Sequence, residues 1–276
     1  MKYINPYYPW FTSIGNVKYS GSKDGCLAAD GWGIVVLDED TGTHMKMSFD
    51  MMITSSYMNE YTAGFYFKSV RDKAVDDVFL YVNNSNYMEI RLANKNVLTT
   101  SFKVSQGIWY HVFLDVDTVA GSITVYVDGN KIGEYTDYVK TGAMAKDFRF
   151  YLNSRYYKLK NMIVTDGELS INETIMEVET SVESCEWNEA QDGYSTEDIG
   201  KKIVLKPART KIDGYTITAA GMVWENALGS DNVPSVNISM GQKSKKVRLP
   251  SGNSHNAGAC FDKVAALENI VVTSAE

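Results

Sequence analysis

The side chains best suited to acid–base chemistry in this sequence sit in one short run, "WYHVFLDVD", which carries His111, Asp115 and Asp117. Cleavage of a glycosidic bond needs two carboxyl groups flanking it, one as acid and one as nucleophile or base. Asp115 and Asp117 are two residues apart, so an extended strand places both on one side. His111 shares that side and offers a base. Nucleophilic catalysis would need a partner, and no Gly-x-Ser-x-Gly turn occurs. The other histidines, His44 and His255, are isolated, and no His-x-His or His-x-x-x-His spacing offers a metal site. Acidic turns at Asp38, Glu39 and Asp40 and at Asp72, Asp76 and Asp77 have oxygen ligands for calcium, which requires several of them to converge. Solvated turn carboxylates account for them better. The expectation is no catalytic residue, no metal and no cofactor.

The elements that must position these residues are strands. Period-two alternation runs through Met45–Ile53, Tyr110–Asp117 and Ser122–Asp128. In the first, Met47, Phe49 and Met51 share a face. In the other two, Val112, Leu114 and Val116 would oppose Ile123, Val125 and Val127 across a hairpin. Asp128-Gly129 then signals a tight turn. Trp109, at the head of its strand, is expected to pack into the core. Further strand-like runs are Gly31–Leu37, Ala63–Val70, Asp77–Asn84, Tyr87–Asn94, Asp147–Leu152 and Lys158–Thr165. Many short strands at regular spacing read as a β-sandwich.

After Asp166 the texture changes. Residues 168–200 are rich in carboxylates and hold no Lys or Arg. Ser170-x-x-Glu173 has the form of a capping box that opens a short helix. This stretch is expected to be an acidic linker. A second β series follows at Lys202–Leu205, Tyr215–Thr218, Gly221–Glu225, Val236–Met240, Lys245–Leu249 and Ile270–Thr273.

Composition narrows the function. The chain has 276 residues, a formal net charge of −7, 18 Tyr, 21 Gly and only five Pro. An acidic balance argues against a nucleic-acid or anionic-membrane binder. Gly241–Leu249 is the one basic run, and a solvated hairpin face accounts for it. The N-terminus has no basic segment followed by an apolar stretch, so no signal peptide is expected. No apolar run reaches the roughly 20 residues of a membrane span. Cys26, Cys185 and Cys260 are too few and too far apart for a disulfide framework and are expected as free thiols.

Trp109-x-His111-Val112, the alternating strand after it and "ITVYVDGNKIGEY" together resemble the laminin-G-like family. "MSFDMMITSS" and "AGFYFKSV" are similar to its early strands, and "DFRFYL" and "LKNMIVTDGEL" to its closing ones. The resemblance implies a concanavalin-A-like jelly roll. The fold class is then all-β: this jelly roll followed by a smaller β-sandwich, the latter similar in texture to immunoglobulin-like appendages of bacteriophage surface and tail proteins. The division is an N-terminal arm (1–14), the laminin-G-like jelly roll (15–170), the acidic linker (171–200) and the small sandwich (201–276). Glycosidases of this fold carry Glu-x-Asp-x-x-Glu on one strand. Here the nearest match is Asp115-x-Asp117-x-x-Ala120, which lacks the last carboxylate.

The expected function is therefore non-enzymatic: a structural or attachment protein of a virus particle, a bacteriophage capsid-decoration or tail and fibre protein. Such a protein would be made in the host bacterial cytoplasm and displayed on the virion surface. Its partners would be other virion subunits, copies of itself among them, and cell-surface or mucin glycans. A carbohydrate-active enzyme or its binding module is the alternative. Sugars are bound by aromatic faces beside amides and arginines. Two stretches have that mixture. One supplies Tyr81, Asn83, Asn84, Tyr87 and Arg91, and the other Arg149, Tyr151, Arg155 and Tyr156. The same tyrosines would also serve as sheet-edge cover or subunit contacts. The arm "MKYINPYYPWF" carries Tyr3, Tyr7, Tyr8, Trp10 and Phe11 around two prolines, and is expected to dock on a neighbouring copy.

Overall fold

The structure is a computed structural model. It describes residues 2–5, 13–14, 18–23, 26–36, 42–54, 60–68, 75–92, 97–137, 142–153, 157–191, 193–249, 251 and 255–276. The described residues contain strands and turns and no helix, so the protein is all-β. Two compact units divide the chain at Ile175 and Met176.

The first unit holds β1 (Lys2–Asn5), β2 (Ser13–Ile14), β3 (Lys18–Lys23), β4 (Cys26–Val36), β5 (His44–Ile53), β6 (Glu60–Lys68) and β7 (Val75–Val82). It continues with β8 (Tyr87–Leu92), β9 (Val97–Lys103), β10 (Trp109–Asp117), β11 (Ser122–Val127), β12 (Asn130–Tyr135), β13 (Met144–Asn153) and β14 (Tyr157–Thr165). Hydrogen bonding runs in the order β12-β11-β10-β5-β14-β4-β13-β6-β7-β8-β9. The long strand β4 links the two halves of this path: Leu27 meets Leu159 of β14, while Asp30–Val36 run along β13. The halves form a jelly-roll sandwich with one core between them. Met47, Phe49, Val112 and Leu114 enter it from one side, and Phe65, Leu80, Ile90 and Phe148 from the other.

The β10–β11 hairpin follows from its sequence. Val112, Leu114 and Val116 pair with Val127, Val125 and Ile123, and all six are buried. Asp128 and Gly129 turn the chain with φ of 49° and 76°, the left-handed pair that a two-residue hairpin requires. The Asp128 carboxylate also accepts the His111 amide at 2.8 Å, tying the turn back to β10.

Trp109 corrects the expectation. It heads β10, which is an interior strand, but it lies on the face opposite the core and is half-buried. Tyr110 takes the core place, with its hydroxyl accepting the Ser105 amide at 3.0 Å and its ring edge-on to Phe102. Period two requires this: Trp109 is out of phase with Val112 and Leu114. Tyr110→Ala should then cost about 3–5 kcal/mol, as for a buried large aromatic. Trp109→Ala should cost no more than about 2 kcal/mol, the range of a cation–π contact. Denaturant midpoints of the two variants check the order, and the reverse order would contradict the placement.

Two other expectations change. Lys2–Asn5 of the arm pair antiparallel with Thr165–Met162 of β14, so this part belongs to its own sheet, with Tyr3 beside Val164. Tyr7, Tyr8, Trp10 and Phe11 lie outside the described residues. Half of the Ser170 capping box forms: the Ser170 amide donates to the Glu173 carboxylate at 3.3 Å, but Ser170 Oγ accepts the Asn172 amide at 3.3 Å and the Glu173 amide donates to the Ser170 carbonyl at 3.0 Å. It closes a turn rather than opening a helix. Leu169, Ile171 and Ile175 around it are needed to cover Phe113 and Ile163 on the outer face of the sheet.

The second unit contains β15 (Thr180–Cys185), β16 (Asn188–Ala190), β17 (Gly193–Ser195), β18 (Lys202–Pro207), β19 (Ala219–Ala227), β20 (Ser235–Met240), β21 (Lys243–Arg248), β22 (His255–Asp262) and β23 (Ile270–Ala275). Five strands form a sheet in the order β15-β18-β23-β20-β21, and β19 pairs with β22. Val236, Ile238, Val272 and Phe261 form its core, with Trp187 and Trp224 packed against it. The stretch expected as a linker thus contributes strands β15 to β17. Cys260 is buried and Cys185 half-buried, both as free thiols.

Candidate functional site

Strand positions from both stretches singled out for glycan binding belong to one sheet. Register aligns Arg149 with Gly64, Gly64 with Phe79, and Phe79 with Arg91, a row straight across β13, β6, β7 and β8. The neighbouring row runs Tyr61, Tyr81, Glu89 and Thr99. Tyr151, two residues from Arg149, occupies the same face by period two. Arg155 and Tyr156 lie outside the described residues.

Within this face the residues divide by job. Tyr81 is only 1% exposed, because the Arg91 guanidinium lies 3.7 Å above its ring. Tyr81 is therefore a support for Arg91 rather than an open platform. Asn83 is spent on the hairpin: its oxygen accepts the Ser85 and Tyr87 amides at 2.9 and 3.0 Å, and its amide donates to Glu89 at 2.7 Å. Asn84 is exposed at the tip of that turn. Arg91 is half-buried, and among the described residues no carboxylate pairs with it. Lys103, which the sequence reading passed over, places its ammonium 5.7 Å from the Tyr87 ring. A guanidinium 3.7 Å over a ring, with no carboxylate partner among the described residues, suits vicinal hydroxyls or a carboxylate.

The opposite half of the sandwich collects the acid–base residues. His111 Nδ1 lies 2.7 Å from Asp50 Oδ1, and the Asn161 amide donates to the other Asp50 oxygen at 2.7 Å. Asn161 has φ 53° at a bulge between Lys160 and Ile163. That bulge brings the Lys160 ammonium to 4.3 Å from the Trp109 ring. An aspartate orienting a histidine is the arrangement of a general base. Here His111 Nε2 is enclosed and, among the described residues, has no hydrogen-bond partner. Asp115 and Asp117 are likewise engaged. Asp115 meets His44 at 2.6 Å, and Asp117 accepts the Val119 and Ala120 amides at 2.8 and 2.9 Å. Among the described residues no group of three His, Cys, Asp or Glu side chains could hold a metal ion.

Residues 35–162 match the model of the Concanavalin A-like lectin/glucanases superfamily. This stretch is a laminin-G-like domain. No curated protein matches the chain. Among solved structures, a Trypanosoma rangeli sialidase in complex with sialic acid is similar with a TM-score of 0.46 and 10% identity, over 61% of this chain and 31% of that one. Carbohydrate binding module CBM66 from Bacillus subtilis has a TM-score of 0.39 and 13% identity, over 58% and 99%. The CBM40 of a Ruminococcus gnavus IT-sialidase, bound to α2,3 sialyllactose, has 0.38 and 12%, over 52% and 91%. The chain spans 17–31% of the length of the sialidases it matches. Both sheet faces just described lie within residues 35–162 or continue directly from them, so the matched stretch, with its concanavalin-A-like jelly roll, holds both.

Proposed function

We propose that the protein is a non-catalytic attachment protein whose laminin-G-like domain binds a surface glycan on the outer face of β13, β6, β7, β8 and β9. The observation that carries this reading is Arg91, stacked on Tyr81 and without a carboxylate partner among the described residues, at the centre of a face that also carries the positions of Arg149 and Tyr151. Tyr87, Thr99 and Lys103 flank it and supply a ring edge, a hydroxyl and a second cation. The non-catalytic reading rests on the engagement of Asp50, Asp115 and Asp117, each held by a histidine, an amide or a turn. We place the protein on a virus particle, as a bacteriophage decoration or tail and fibre component. A lectin-like unit joined to a second small β unit suits such display.

A glycan array with the full chain should yield a bound class, and the bound glycan should release no reducing sugar on long incubation. Turnover that disappears in Asp117→Asn or Asp50→Asn would contradict the non-catalytic reading. Purified particles should contain the chain in fixed stoichiometry, and its absence from them would overturn the placement.

A further inference from the structure

The five-stranded sheet of the second unit has an inner and an outer face. Ile203, Val236, Ile238 and Val272 fill the inner one. By period two, Lys202 and Lys206 of β18 and Lys246 and Arg248 of β21 stand on the outer one. All four are exposed, and among the described residues none forms an ion pair. Register sets Lys246, Asn237, Thr273 and Lys202 in one row across four strands. Cation, amide, hydroxyl and cation therefore follow one another over three strand spacings, about 14 Å. Beside the row, Lys246 and Arg248 line a cleft of about 450 Å³ with Pro234, Ser235 and Glu276. This concentration of unpaired cations occurs in a chain of net charge −7.

We propose that this face is a second binding site, specific for a linear acidic polysaccharide. Four cations that have no ion-pair partner among the described residues, against the single carboxylate side chain of Glu276 in the cleft, focus a positive field on one surface of an acidic protein. The span across the strands fits a polymer with repeated anionic groups rather than a single small anion. Asn237 and Thr273 between the cations match sugar hydroxyls. The rows hold no aromatic side chain on which bases would stack, which disfavours single-stranded nucleic acid. Val204 and Val271, the apolar pair that lies between Lys202 and Lys206 on this face, are short and half-buried and would not reach into a lipid surface.

The test is calorimetry of the full chain against a heparin oligosaccharide and a polygalacturonate oligomer at low salt. Both should bind, and raising the salt should weaken binding. K246Q/R248Q should weaken it at least tenfold with an unchanged unfolding temperature. R209Q/K211Q, with the same charge change off these rows, should alter it less than twofold. Arg91→Ala should leave it intact, which separates this site from the one in the laminin-G-like domain. The proposal is overturned if neither polysaccharide binds, if K246Q/R248Q binds like the parent, or if a DNA duplex of equal charge binds as tightly.

Discussion

Replacing Gly64 with Ala or with Val should abolish folding of the first unit. Gly64 lies in β6, inside the sheet, directly after a bulge in its pairing with β7. A Cβ built there would fall on the Val78 carbonyl oxygen and stand 2.7 Å from Phe79 Cα. Phe79 Cδ1 also stands at 2.7 Å, but the other two obstacles are backbone atoms of the neighbouring strand, so no side-chain rotation relieves the collision. Overpacking a core typically costs about 1–3 kcal/mol, and a backbone collision exceeds that. Domains of this size hold only about 5–15 kcal/mol in total. Because the collision is at Cβ, alanine should be nearly as damaging as valine. Loss of near-ultraviolet circular dichroism and of soluble yield in both variants would bear this out. A Gly64→Ala protein that melts within a few degrees of the parent would contradict the close approach of β6 and β7.

Arg91→Ala should have the largest effect on binding. Hydrogen bonds to a charged group are worth about 1.5–3 kcal/mol, which corresponds to roughly a tenfold to hundredfold loss of affinity. Stability should fall by no more than about 2 kcal/mol, since what the fold loses is one cation–π contact with Tyr81. Arg91→Lys should recover little, because an ammonium cannot lie flat on the ring and present a planar fork of donors. Glycan-array signal and calorimetry, read beside the melting temperature, separate the two effects. Equal affinity in Arg91→Ala would remove Arg91 from the site.

Much of the sandwich was legible in the sequence because its strands obey strict alternation. Met47, Phe49 and Met51, and the valines of β10 and β11, needed no tertiary information to be assigned to one face. Trp109 lies outside the core because its phase with Val112 sets it there, although it heads an interior strand. The strand β22 was missed because "HNAGACFD" has small residues where alternation would show, and it is buried by its partner β19 rather than by its own pattern. The prolines of the arm hid β1, whose four residues pair only once β14 is present. The site itself was half legible. Tyr and Arg in 81–91 and 149–156 marked both stretches, but only the register across β6 and β7 sets Arg149 and Arg91 in one row. That Tyr81 and Asn83 would be consumed as supports, and that Lys103 would join, depends on contacts no local pattern encodes.

The most direct test of the glycan face is an amide and indole chemical-shift titration of the full chain with the glycan identified on the array. Shift changes should concentrate on Tyr87–Leu92 and Val97–Lys103, with the Trp109 indole and the Lys160 region unmoved. Changes centred on Trp109, His111 and Lys160, with Arg91 and Lys103 silent, would place binding on the other half of the sandwich and contradict it.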